Sequence, residues 1–193
     1  MAGRPKKKNV NRERNGRAQR GEYHPETIAR RERELEAAGI IAFPERKVEG
    51  RTIKATATDA LAGSTIGKLL LRWRQDKSRP DCISQDQYDA ADQWLKLCHR
   101  HAAIMGYKIN IGAASLEIGG GISTAAEPDE EYIARTRRRW RACHEALGKE
   151  GGRVWAVTSG VVLEEWPIER MTQSEVGQLR IGLNAVRRAL DRS

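Results

Sequence analysis

Apolar residues recur at helical spacing in three long stretches of the chain. After Ser84, the residues Tyr88, Ala91, Leu95, Cys98, Ala102 and Met105 follow one another at steps of 3, 4, 3, 4 and 3. At 100° per residue they fall within an arc of about 100°, the width of a seam between packed helices. Ser84 with Gln87 three residues on forms a capping box at the start, and Gly106 supplies the stop. The second stretch opens at Pro128, followed by Asp129, Glu130 and Glu131, where the positive end of a helix dipole favours anions. Its seam is Ile133, Thr136, Trp140, Cys143 and Leu147, ending at Gly148. The third opens with a second capping box, Thr172 and Glu175, and carries Val176, Leu179, Leu183, Val186 and Leu190 on one face. Three matching seams predict an all-α protein, a small antiparallel helical bundle.

Weaker patterns fill the remainder. Ser64 is placed to N-cap a short helix through Ile66, Leu69, Leu70 and Trp73, and Asp76 to Asp81 with Pro80 reads as a turn. Val154 to Leu163 is apolar and rich in β-branched residues, so residues 153–165 read as a helix with a strand as the alternative. Tyr107 to Thr124, with three consecutive glycines, reads as a loop or a poor hairpin. Upstream, Pro25 suits the first position of a helix through Ile28, Arg31 and Leu35 that stops at Gly39. Its apolar content is thin, which predicts a loosely docked helix or one that forms on a partner. The chain thus divides into an arm at 1–22, a charged helix at 23–39, a linker at 40–63 and a bundle domain at 64–193.

Charge changes this picture mainly at one end. The chain of 193 residues has 35 Lys and Arg against 26 Asp and Glu, a formal +9. Within residues 1–20, Arg4, Lys6, Lys7, Lys8, Arg12, Arg14, Arg17 and Arg20 face only Glu13, so +7 of that excess lies in the first tenth. Lacking aromatic and branched apolar residues apart from Val10, this stretch cannot offset its ordering entropy and reads as a disordered basic arm. Such a strand binds phosphate by releasing counterions. Gly3-Arg4-Pro5 followed by three lysines resembles the core of an AT-hook, a minor-groove reader, although Ala2 stands where the hook has a further Arg. No apolar run approaches the ~20 residues of a membrane helix, and no apolar segment follows the basic start as in a secretory signal. A chain free of membrane contact, in the cytoplasm, is expected.

A second basic cluster lies in the middle seam helix, where Arg135, Arg138 and Arg141 fan out opposite Trp140. They are candidates for a backbone contact with duplex DNA, and Trp140 reads as core. The bland alternative is a solvated face partly neutralised by Glu131 and Arg135, four residues apart, a pair worth only ~0.3 kcal/mol. Arg72-Trp73-Arg74 raises the same question more weakly. Thr172 to Val176 and Asn184 to Leu190 look like the halves of a helix-turn-helix, but the seam runs unbroken through the supposed turn, so one continuous helix explains more. Cys98 with His101, and Cys143 with His144, lack knuckle spacing, so no metal and no other cofactor is expected. The chain carries no phosphate loop, nucleophile elbow or His-Glu-x-x-His motif, which predicts a protein that is not an enzyme.

The order of parts resembles small basic proteins of alphaproteobacterial phages and prophages: the Gly-Arg-Pro arm, Asp59-Ala60-Leu61-Ala62-Gly63-Ser64, Ile83-Ser84 followed by Gln87-Tyr88, Pro128 to Glu131, and Gly182-Leu183-Asn184-Ala185. From Leu69 onward the chain is also similar to a helical domain appended to regulators of phage-like gene transfer particles. The resemblance carries over no functional residue. It implies a phage setting in a bacterial host, in which small basic helical proteins serve mainly as transcription regulators or as DNA-recognition subunits of packaging motors, and a DNA-binding regulator is the leading expectation. The alternatives are a small terminase-like packaging subunit or a module that docks on RNA polymerase. The oligomeric state stays open.

Overall fold

The computed structural model describes residues 25–43, 46–48, 51–53, 56–106 and 129–192. The expected arm, with Arg4, Lys6, Lys7, Lys8, Arg12, Arg14, Arg17 and Arg20, and the glycine-rich stretch at 107–124 lie outside them. Six helices form the body: α1 (Pro25–Ala37), α2 (Thr65–Gln75), α3 (Gln85–Met105), α4 (Glu130–Lys149), α5 (Gly152–Leu163) and α6 (Gln173–Asp191). Both capping boxes are present, at Ser84 with Gln87 and at Thr172 with Glu175, and the Ser64 hydroxyl accepts from the Gly67 N–H. Asp129 rather than Pro128 caps α4, its side chain accepting from the Glu131 N–H.

Helix α6 packs against α3, α4 and α5, with Val176, Leu179, Leu183, Val186 and Leu190 all buried. Chain directions follow from cross-helix contacts. His101 and Met105 of α3 meet Trp140 and Arg137 of α4 in reverse order, and the start of α3 meets the end of α6 through Gln87 with Asn184 and Asp86 with Arg187. Three mutually packed helices cannot all be antiparallel. Here α4 and α6 are the parallel pair, with Leu147 beside Gly182 and Glu150 beside Arg188. The α3 seam is wider than its periodicity suggests, since Gln87, Ala90, Trp94, Leu97 and His101 are also buried, whereas Met105 is exposed. The extra face is covered because α3 also touches α2 and α5.

Residues 152–163 are helical, which settles the ambiguity between helix and strand. Every position from Val157 to Val162 is buried, so the second half of α5 is covered on all sides and has no amphipathic signature to read. It follows α4 after only Glu150 and Gly151, and Gly151 takes the left-handed φ of +104° that this reversal requires.

The helix α1 is more firmly held than its composition predicts. Leu35 and Ala38 are fully buried, and a Schellman closure ends the helix, with Ile40 N–H donating to Leu35 O and Gly39 N–H to Glu36 O. Polar clamps from α2 and the following loop then fix it in place. Arg72 donates to Ala38 O at 2.7 Å and to Asp81 Oδ2 at 3.1 Å, while Arg79 reaches Gly39 O at 3.1 Å and grips Asp81 with two nitrogens at 2.9 Å. Lys68 pairs with Glu34 at 3.0 Å, and the Gln75 amide both accepts from and donates to the backbone of Ile41.

The stretch read as a linker carries short elements. Strands β1 (Arg46–Val48) and β2 (Arg51–Ile53) pair antiparallel with Arg46 opposite Ile53, and Phe43 exchanges hydrogen bonds with Thr56 in the same register. Two 3-10 turns, Thr56–Thr58 and Ala60–Gly63, bury Ala57 and Ala62. Strands of three residues are too short to show a period of two, which is why the sequence does not announce them.

Candidate nucleic-acid interface

The outward face of α4 is strongly cationic. Arg135, Arg138 and Arg141 are exposed, and none of the ion pairs among the described residues involves them. The pair expected between Glu131 and Arg135 does not form; the Arg135 guanidinium instead lies over the Tyr132 ring at 6.0 Å. Steps of three residues advance 4.5 Å along a helix and turn it by about 60°. The three guanidinium groups therefore fan diagonally around the helix rather than lining one edge.

Beside this fan runs a feature the sequence did not announce. The His101 ring of α3 stacks on Trp140 at 4.0 Å with planes 2° apart, Trp140 meets His144 at 4.9 Å, and His144 meets Trp155 of α5 edge to face at 5.9 Å. The ladder crosses three helices and rises from the buried His101 to exposed His144 and Trp155. Burial and the neighbouring Arg137 hold the His101 imidazole below its ordinary pKa, favouring the neutral ring. Trp140, expected in the core, is half-buried and packs against it. His144 and Trp140 are four residues apart, the one local hint of the ladder. That they meet rings from α3 and α5 depends on packing.

The other basic candidates are used internally. Arg72 clamps α1 as described, Trp73 is partly buried with the Lys77 ammonium 5.1 Å over its ring, and Arg74 donates to Gln85 at 3.0 Å. Helix α6 is unbroken from Gln173 to Asp191, as the continuous seam predicts, and leaves no turn for a helix-turn-helix. Cys82, Cys98 and Cys143 are free and buried, and among the described residues no three potential metal ligands converge. Among the described residues, no helix is long and apolar enough to cross a membrane. No protein-family model, curated protein or solved structure matches the chain.

Proposed function

We propose that this chain is a DNA-binding regulatory protein of a phage or prophage, acting in transcription regulation. The arm residues Arg4, Lys6, Lys7, Lys8, Arg12, Arg14, Arg17 and Arg20 contact phosphate or the minor groove, and Arg135, Arg138 and Arg141 add a second phosphate contact. The observation that carries this reading is the exposed arginine fan of α4, without a carboxylate partner among the described residues, on a chain whose sequence concentrates +7 in its first 20 residues.

A salt titration on duplex DNA tests the proposal. Eight arm cations on phosphate give a slope of log K against log salt near −7, at about −0.9 per contact. Deleting residues 1–20 should leave a slope of about −3 or less, and replacing Arg135, Arg138 and Arg141 with alanine should remove most of that remainder. An unchanged slope in the truncation removes the arm from the mechanism. By light scattering, a stable ring of many copies would point to a packaging subunit. Capture of RNA polymerase without DNA binding would point to a docking module.

A further inference from the structure

The exposed end of the aromatic ladder has the makings of a binding surface in its own right. Trp155 is 38% exposed, His144 is exposed, and Arg137 and Arg141 lie on the adjoining strip of α4. Neither arginine has a carboxylate partner among the described residues; Arg137 donates to the Met105 sulfur at 3.6 Å. The backbone beside the two rings is open. A Cβ added at Gly148, one turn beyond His144, or at Gly152, one turn before Trp155, would meet nothing within 4 Å. The exposed indole, with the His144 ring edge to face against it and side-chain-free backbone alongside, leaves a ledge that a planar group can approach, and the guanidinium groups of Arg141, one turn before His144, and of Arg137, one turn further, favour an anionic backbone attached to that group.

That combination suits an unpaired nucleotide. Bases inside a duplex are stacked on each other and present no free face, whereas single strands are held by aromatic platforms with cations along the sugar-phosphate chain. We infer that Trp155 and His144, bordered by Arg137 and Arg141, form a stacking site for single-stranded DNA. This inference rests on the nucleic-acid reading of α4, but it assigns a different substrate form to a neighbouring strip that shares only Arg141 with the fan. It gives the ladder a role: His101 and Trp140 hold the exposed rings in a fixed orientation, so little is lost in ordering them on binding.

The test uses the full chain and an oligothymidylate of about twelve nucleotides, within the range covered by small single-strand sites. Trp155→Ala should weaken binding to the single strand by about fivefold to a hundredfold while leaving duplex affinity unchanged. Gly148→Leu provides a second variant that removes no ring and introduces a residue with better helix propensity than glycine. Its side chain leans back toward His144 and covers the ledge, so it should weaken single-strand binding to a similar degree. Trp155→Phe should retain most of the affinity but lose most of the tryptophan quenching that the oligonucleotide produces.

Wild-type single-strand affinity in both Trp155→Ala and Gly148→Leu overturns the inference, and duplex binding by the same preparations would leave the proposed function standing. Ledge-dependent single-strand binding without arm-dependent duplex binding sinks the proposed function and keeps the inference. Binding to neither form overturns both. If Trp155→Ala melts at a lower temperature, Gly148→Leu decides.

Discussion

Gly177 and Gly182 lie five residues apart on α6, and the same replacement by alanine should shift stability in opposite directions. Either substitution gains about 1 kcal/mol of helix propensity. At Gly177 an added Cβ meets nothing within 4 Å, so that gain is kept. At Gly182 it would lie 2.1 Å from Thr158 Oγ1, 3.1 Å from Thr158 Cβ and 3.2 Å from Leu147 Cδ2. Thr158 has little room to yield: it is fully buried, its hydroxyl donates to Val154 O at 2.7 Å, and its branched Cβ restricts χ1. Helices α5 and α6 must separate instead, and overpacking of this kind costs about 2–3 kcal/mol. The net effect of Gly182→Ala is then a loss of about 1–2 kcal/mol. For a domain of this size, 1 kcal/mol moves Tm by about 2–4 °C. Gly177→Ala should therefore raise Tm by about 3 °C, and Gly182→Ala should lower it by about 5 °C. Thermal melts checked by urea titration at constant slope provide the assay. Adding Thr158→Ala to Gly182→Ala removes the colliding hydroxyl and should recover at least half the loss, a coupling expected only of residues in contact. If Gly182→Ala is as stabilising as Gly177→Ala, the close approach of α5 and α6 is wrong.

Arg72→Met keeps the aliphatic stem but removes the donors to Ala38 O and Asp81, and should cost about 2 kcal/mol. Amide exchange in α1 should accelerate ahead of global unfolding; unchanged exchange there would mean that α1 docks without the clamp. Two carboxylates should give opposite pH trends. Burial raises the Glu165 pKa above its ordinary 4.5, so its contribution is largest below that value and is lost as pH rises through the folded pKa. Wild type should thus lose stability relative to Glu165→Gln as pH rises from 4.5 through the higher folded value. Hydrogen bonds from Arg79 hold Asp81 below its ordinary 3.8, so the advantage of wild type over Asp81→Asn is present above 3.8 and fades as pH falls through the lower folded value. Stability curves with parallel trends for the two variants would contradict this. Burial pushes the Cys98 thiol up to about 12 and Cys143 to about 11, and Cys82 also rises. With so little thiolate, the native protein should react with a disulfide reagent at pH 8 only as fast as it opens; a rapid burst from native protein would refute that burial.

What could be read from the chain was local. Capping boxes join residues three apart, and seams join residues three or four apart, so Ser84 with Gln87, Thr172 with Glu175 and the face from Val176 to Leu190 are legible without knowing what they touch. The same locality explains why Arg135, Arg138 and Arg141 could be placed on the outer side of α4. It also explains the failures. Glu131 and Arg135 have the spacing of a pair, yet the ring of Tyr132 is the partner found. Thin apolar content made α1 look loose, because the Arg72, Arg79 and Gln75 clamps come from residues more than 30 positions away.

The sequence by itself therefore determined where helices begin, which face of most of them is apolar, and where positive charge accumulates, since each depends on neighbours within a turn or two. Only the tertiary structure decided that α5 is a helix, that Gly182 and not Gly177 sits under another helix, and that His101, Trp140, His144 and Trp155 meet in one ladder. Those outcomes depend on which helices pack together and in which direction, a choice set by shape and burial across the whole core that no local pattern encodes.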